Sequence, residues 1–167
     1  MLDVIRDNDN CNILDFGCGT ALLYLYLSEA DIKNINYIGL DISDKFIDFC
    51  KVKYPDVKFY CLDVNEENLE VEFDYAICNG TFTEKLNLTF DEMFSFFSKT
   101  ISILFEKSKK GIAFNVMSSH VDYERDDLFH LSHDVLADFL VKNLSRDYVI
   151  RNDYGLYEYT VYVYKEW

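Results

Sequence analysis

The chain has 167 residues, half of them apolar and 17% aromatic, with six glycines and a single proline. That length suits one domain with a substantial core and is too short for two ordinary ones, and the composition is not that of a disordered chain. The formal net charge of -14 argues against nucleic acid and anionic membrane surfaces as partners, because both are bound through clustered lysine and arginine.

The lead, residues 1–10, has neither a basic start nor an apolar stretch of the secretory type. No apolar run approaches the roughly 20 residues of a membrane helix. The five cysteines, Cys11, Cys18, Cys50, Cys61 and Cys78, are odd in number and contain no C-x-x-C pair. They read as reduced thiols, most of them in apolar runs, in a cytoplasmic protein.

Strand and helix signals then alternate. Residues 12–16 form the first predicted strand and 21–30 the helix after it, joined by Gly17-Cys18-Gly19-Thr20. The second strand covers 37–41. Ser43 N-caps a helix running through Lys53, which Pro55 ends. Residues 57–62 and 73–78 are the third and fourth strands. Thr89 and Glu92 have the spacing of a capping box, opening a helix to about Phe105. A fifth strand covers 111–117, and Ser132 caps a helix ending near Asn143. Residues 148–154 and 157–165 close the chain as two strands around Gly155, a span (146–167) that reads as a hairpin because so short a connection cannot make a parallel crossover.

Five βα units and a terminal hairpin predict an α/β fold. It is a doubly wound, Rossmann-like three-layer sandwich on a seven-stranded, mostly parallel sheet, in one domain spanning 1–167. Ligands of such sheets bind outside the carboxyl ends of the strands, where the strand order switches. A glycine turn from a buried strand into a helix lets a ligand approach the backbone closely. Leu22 stands where the dinucleotide fingerprint G-x-G-x-x-G needs its last glycine, which counts against a nicotinamide oxidoreductase.

Asp15-Phe16-Gly17-Cys18-Gly19-Thr20-Ala21 resembles motif I of the class I S-adenosylmethionine-dependent methyltransferases, commonly D-x-G-C-G-x-G. Ala21 replaces the third glycine, the mildest change if the backbone there has negative φ. Acids follow the glycine turn in register: Asp41 ends the second strand and Asp63 the third. The resemblance covers nearly the whole chain and implies S-adenosylmethionine as cofactor. It implies that Asp15, Gly17, Cys18 and Gly19 shape the cofactor loop and that Asp41 accepts both ribose hydroxyls. Asp63 would accept from the adenine amino group, and Ile42 and Val64 would flank the ring. Backbone carbonyls near Cys78, Asp15 and Gly17 would hold the cofactor's amino group, with Asn79 facing the transferable methyl.

Asn79 is not followed by the two prolines of base-modifying amino-methyltransferases, and carboxylates are missing from the fourth and fifth strand ends, so neither a nucleobase acceptor nor a catalytic metal is expected. Gly80-Thr81-Phe82 and Ala113-Phe114-Asn115 resemble segments of small methyltransferases from surface-polysaccharide clusters, implying a small polar acceptor such as a sugar or another metabolite. His120 is the candidate general base, with Glu84, Asp122 and Tyr123 as further site candidates. The acids from Asp122 to Asp127 read as a solvated loop. Class I enzymes usually carry a longer helical segment before the first strand. A homodimer or a partner chain covering an open cofactor site is therefore a further expectation, and a non-catalytic cofactor-binding subunit is the second reading.

Overall fold

In chain order, a single 3-10 turn (Leu2–Val4) precedes β1 (Cys11–Phe16), α1 (Leu22–Glu29), β2 (Ile35–Asp41), α2 (Asp44–Lys53), β3 (Lys58–Cys61) and β4 (Tyr75–Phe82). After these come α3 (Phe90–Lys107), β5 (Gly111–Ser118), β6 (His130–Leu131), α4 (His133–Asn143), β7 (Tyr148–Arg151) and β8 (Glu158–Tyr164). This computed structural model describes residues 1–6 and 10–165. Asp7, Asn8 and Asp9 of the lead, and Glu166 and Trp167 of the predicted hairpin, lie outside the described residues.

The strands form one sheet in the order β3-β2-β1-β4-β5-β8-β7. β1 pairs in parallel with both β2 and β4, so the strand order switches there. β8 runs antiparallel to β5 and to β7, which places the closing hairpin at one edge. The Rossmann-like α/β architecture is as the sequence predicts, with eight strands rather than seven among the described residues. The additional strand, β6, has two residues paired with Met117 and Ser118, too few to leave an alternation signal.

Alternation along the strands sends side chains to two cores. Leu14, Leu40, Ala76 and Phe114 pack with α3 and α4, while Ile13, Tyr37, Ile77 and Ala113 pack with α1 and α2. Val4 of the 3-10 turn is fully buried in the second cluster.

Local chemistry accounts for most helix ends. The capping box at Thr89 and Glu92 forms in full, and the hydroxyls of Ser43 and Ser132 accept from Phe46 and Val135 backbone N–H groups. Ala21 corrects an expectation. It caps α1 at φ 60°, in the left-handed region, where a glycine would be unstrained and alanine is not.

Phe97 sits at the centre of the α3 side, with ring centroids 5.2 Å from Phe82, 5.3 Å from Phe114 and 5.8 Å from both Phe129 and Phe139. It is completely buried, so truncation leaves a cavity that the β4, β5 and α4 walls cannot close. Phe97→Ala is expected to lower the unfolding free energy by about 3–5 kcal/mol in denaturant titration. A loss under about 1 kcal/mol would show that the ring cluster is not the organising core.

Candidate functional site

β1 leaves the sheet at Phe16 into the glycine turn, and three observations fix that turn. Gly17 has φ +73°, and a Cβ there would lie 2.5 Å from the Thr81 Oγ1, so both backbone and space require glycine. The Thr81 hydroxyl donates to the Phe16 carbonyl at 3.0 Å, stitching the turn to β4. The N–H groups of Gly17 and Cys18 both donate to the Leu40 carbonyl, at 2.8 and 3.0 Å.

Asp41 completes the fastening. Its carboxylate is buried; Oδ2 accepts from the Gly19 N–H and Oδ1 from the Ser43 N–H, each at 2.9 Å. The Ala21 N–H donates to the Cys18 carbonyl at 2.8 Å. A pyrophosphate loop turns such amides toward phosphate oxygens. Here the amides of residues 17, 18, 19 and 21 are committed within the protein, and a carboxylate stands at the mouth of the turn.

A cleft of about 340 Å³ opens over this turn, at the carboxyl ends of β1 to β4. Of the residues singled out in the sequence, Gly17, Asp41, Ile42, Asp63, Val64 and Asn79 line it. Ile42 is 69% exposed, whereas Val64 belongs to the core. Asp63 follows β3, and its Oδ1 accepts from the Asn65 N–H at 2.9 Å. Asn65 is in turn anchored to α3, its Nδ2 donating to Thr100 Oγ1 at 3.0 Å and its carbonyl accepting from Lys99 Nζ at 2.9 Å.

The β4 wall is a bulge. Cys78 pairs with Phe114 but Phe82 pairs with Val116, leaving Asn79, Gly80 and Thr81 to bow outward, with Gly80 at φ +78°. The amide freed from the ladder is not wasted. Gly80 N–H donates to Asn115 Oδ1 at 2.7 Å, and Asn115 Nδ2 donates to Glu158 Oε2 at 2.8 Å. Asn115 is buried, so β5 and β8 together hold the bulge in shape.

The remaining candidates lie off the cleft lining. Cys18 and Gly19 belong to the turn but not to the lining, and the Gly19 carbonyl accepts from the Cys50 thiol at 3.2 Å. Burial raises the Cys18 and Cys78 thiols above their ordinary range. Cys78 is wholly buried on the α3 side, one residue before the bulge. Asp15 points to the α1–α2 side, where it accepts from the Tyr37 hydroxyl at 2.7 Å. His120 is exposed in the loop after β5, its ring stacked 5.6 Å from that of His133, which itself packs 4.4 Å from Tyr159.

Glu84 pairs with Leu128 in an isolated antiparallel bridge, Asp122 accepts from the Tyr157 hydroxyl at 2.7 Å, and Tyr123 is exposed. Among the described residues no cluster of His, Cys, Asp and Glu is arranged to hold a metal ion. Nor, among them, is any helix long and apolar enough to cross a membrane.

A family model for a methyltransferase domain matches residues 7–148. The chain belongs to the class I S-adenosylmethionine-dependent methyltransferases. This methyltransferase is 28% identical, over 167 residues, to a Mycobacterium tuberculosis protein with a provisional methyltransferase name, covering 97% of the chain and 98% of that protein. Its fold matches the magnesium protoporphyrin IX methyltransferase of Synechocystis with a TM-score of 0.68 at 16% identity, over 99% of this chain and 76% of that one. It also matches an amino pentose methyltransferase from Micromonospora echinaspora, with a TM-score of 0.66 at 13% identity, over 96% and 85% of the two chains.

Several lining residues escaped the sequence reading of the methyltransferase. Phe16 and Leu40 are the last core residues of their strands, and Leu62 and Asn65 flank Asp63-Val64. Phe96 reaches the cleft from α3; the available signal was a large apolar side chain beside the buried stripe of Met93, Phe97, Thr100 and Ile101.

Burial raises the Asp15 carboxyl to about 6, against the opposing pull of the Tyr37 hydroxyl and with a smaller push from the Asp41 charge. Its folded value thus lies above the unfolded one. The cost of ionising it is absent below about pH 4 and complete above about pH 6, on the order of 2–3 kcal/mol. Asp15→Asn keeps an oxygen for the Tyr37 hydroxyl and removes that cost. The variant is expected to melt higher than the parent at pH 7.5, with the gap closing as pH falls from about 6 to about 4. A lower melting temperature at pH 7.5 would mean that the ionised carboxylate stabilises the turn.

Proposed function

We propose that the cleft at the switch point holds S-adenosylmethionine and that the methyl passes to a polar nucleophilic atom of a small-molecule acceptor. The observation that carries this reading is Asp41, a buried carboxylate on the cleft wall whose oxygens fix both the glycine turn and the start of α2. A carboxylate oxygen has more than one lone pair, so those bonds leave acceptor capacity for two vicinal hydroxyls. Ile42 and Val64 offer apolar surface on either side of a planar ring, and Asp63 offers an acceptor for an exocyclic amine.

For the cofactor's amino group, three carbonyl positions were expected, near Asp15, Gly17 and Cys78. Gly17 is the one of the three on the cleft lining, and the reading narrows to it. S-adenosylmethionine supplies an activated sulfonium methyl: the acceptor's lone pair forms the new bond to carbon while the carbon–sulfur pair withdraws onto sulfur. The protein's share is positioning and exclusion of water. Asn79 and Thr81 lie on the bulged wall, and Phe96 shields the cleft from α3. His120 lies outside the lining, so no proton transfer is drawn through it. The committed amides of the glycine turn count against the nicotinamide alternative.

Asp41→Ala is expected to weaken S-adenosylhomocysteine binding by about 1–3 kcal/mol, the usual cost of stranding polar partners. Equilibrium dialysis of the folded variant against labelled ligand measures this. Unchanged affinity would remove Asp41 from the site.

A further inference from the structure

Next to this cleft lies a second cavity of about 450 Å³, and Thr81 and Phe96 line both. Its outer wall is the connection between β4 and α3. Leu86 and Leu88 of that connection, 66% and 43% exposed, line the cavity together with Met93 and Phe96 of the helix.

The connection is built to hold those leucines in place. The N–H groups of Lys85 and Leu86 both donate to the Asp127 carbonyl, at 2.9 and 3.1 Å. Leu88 N–H donates to the Lys85 carbonyl at 2.9 Å, and the Lys85 ammonium donates back to the Leu88 carbonyl at 3.1 Å. Leu86 has φ +50°, a left-handed conformation that penalises any side chain with a Cβ. Neither leucine belongs to either buried core. The fold therefore accepts backbone strain and two exposed aliphatic side chains beside the cleft, with no packing return. Strain of this kind concentrates where a ligand is held, and exposed apolar surface in a concavity marks a binding site.

We infer that this second cavity is the acceptor site, and that the acceptor is amphipathic. Its apolar body, an alkyl chain or an aromatic ring, lies against Leu86, Leu88, Met93 and Phe96. Its nucleophilic atom reaches past Thr81 into the donor cleft. The charged groups at the rim are Glu84 and Lys85, and the Lys85 ammonium is bonded to the Leu88 carbonyl. With a net charge of -14 on the chain, this favours an uncharged or cationic acceptor over an anionic one. The inference rests on the neighbouring cleft being the donor site. It refines the polar acceptor expected from the sequence to one with a polar end and an apolar remainder.

The test uses the whole chain saturated with S-adenosylhomocysteine and the uncharged fluorescent amine N-phenyl-1-naphthylamine as probe. Wild-type protein is expected to bind the probe saturably. The Leu86→Asp/Leu88→Asp double variant should lose at least tenfold in probe affinity while its calorimetric affinity for S-adenosylhomocysteine stays within twofold. Leu86→Gly supplies a second readout: it should melt higher, because the left-handed position is relieved, yet bind the probe less tightly. Equal probe binding in the double variant, or no saturable binding by wild type, would overturn the inference. So would a wild-type dimer in light scattering that the double variant splits, since a second copy would then cover the leucines. Failure of wild type to bind S-adenosylhomocysteine would count against the donor reading, and the probe titration without it would still report on this cavity.

Discussion

The glycine turn after β1 is tied to the end of β2 by three hydrogen bonds, and the cleft depends on that tie. The Leu40 carbonyl takes two amides of the turn, and the buried Asp41 carboxylate takes a third together with the first amide of the α2 cap. Without those acceptors the amides would face either core or solvent, and the turn would have no reason to hold left-handed glycines against Thr81. The same bonds set the ligand chemistry. Amides turned inward cannot cradle phosphate, while a carboxylate with spare lone pairs suits hydroxyl donors.

The opposite wall depends on a longer relay. Glu158 on β8 holds Asn115 on β5, and Asn115 holds the amide of Gly80 in the β4 bulge. The closing hairpin, which joins the sheet at the far side of β5, thereby shapes a wall of the cleft two strands away. A bulge that re-aims a strand end is a common way to present residues to a ligand. Here it carries Asn79 and Thr81 onto the cleft wall, and Thr81 lines the second cavity as well, so the two cavities meet at one distorted strand.

Much of the fold and part of the site were legible in the sequence, for physical reasons that particular residues show. Parallel strands end along one edge, so Asp41, which closes the buried strand β2, and Asp63, two residues past its neighbour β3, both come to the cleft. Capping residues such as Thr89 and Ser132 are local chemistry and act as read. What escaped depends on distant partners. The Gly80 bulge extends β4 four residues past its predicted end because Asn115, 35 positions along the chain, takes the freed amide. Asp15 shares its strand face with Ile13, which turns it away from the cleft toward Tyr37. The left-handed angle at Ala21 follows from the path between turn and helix rather than from any preference of alanine.

On the proposed reading, the tied glycine turn makes a site for S-adenosylmethionine and not for a dinucleotide. Isothermal titration of the purified chain with S-adenosylhomocysteine, followed by the same titration with NAD, tests it most directly. Saturable, equimolar binding of the first at micromolar concentration is expected, with no detectable heat from the second. Binding of NAD in preference to S-adenosylhomocysteine would contradict it.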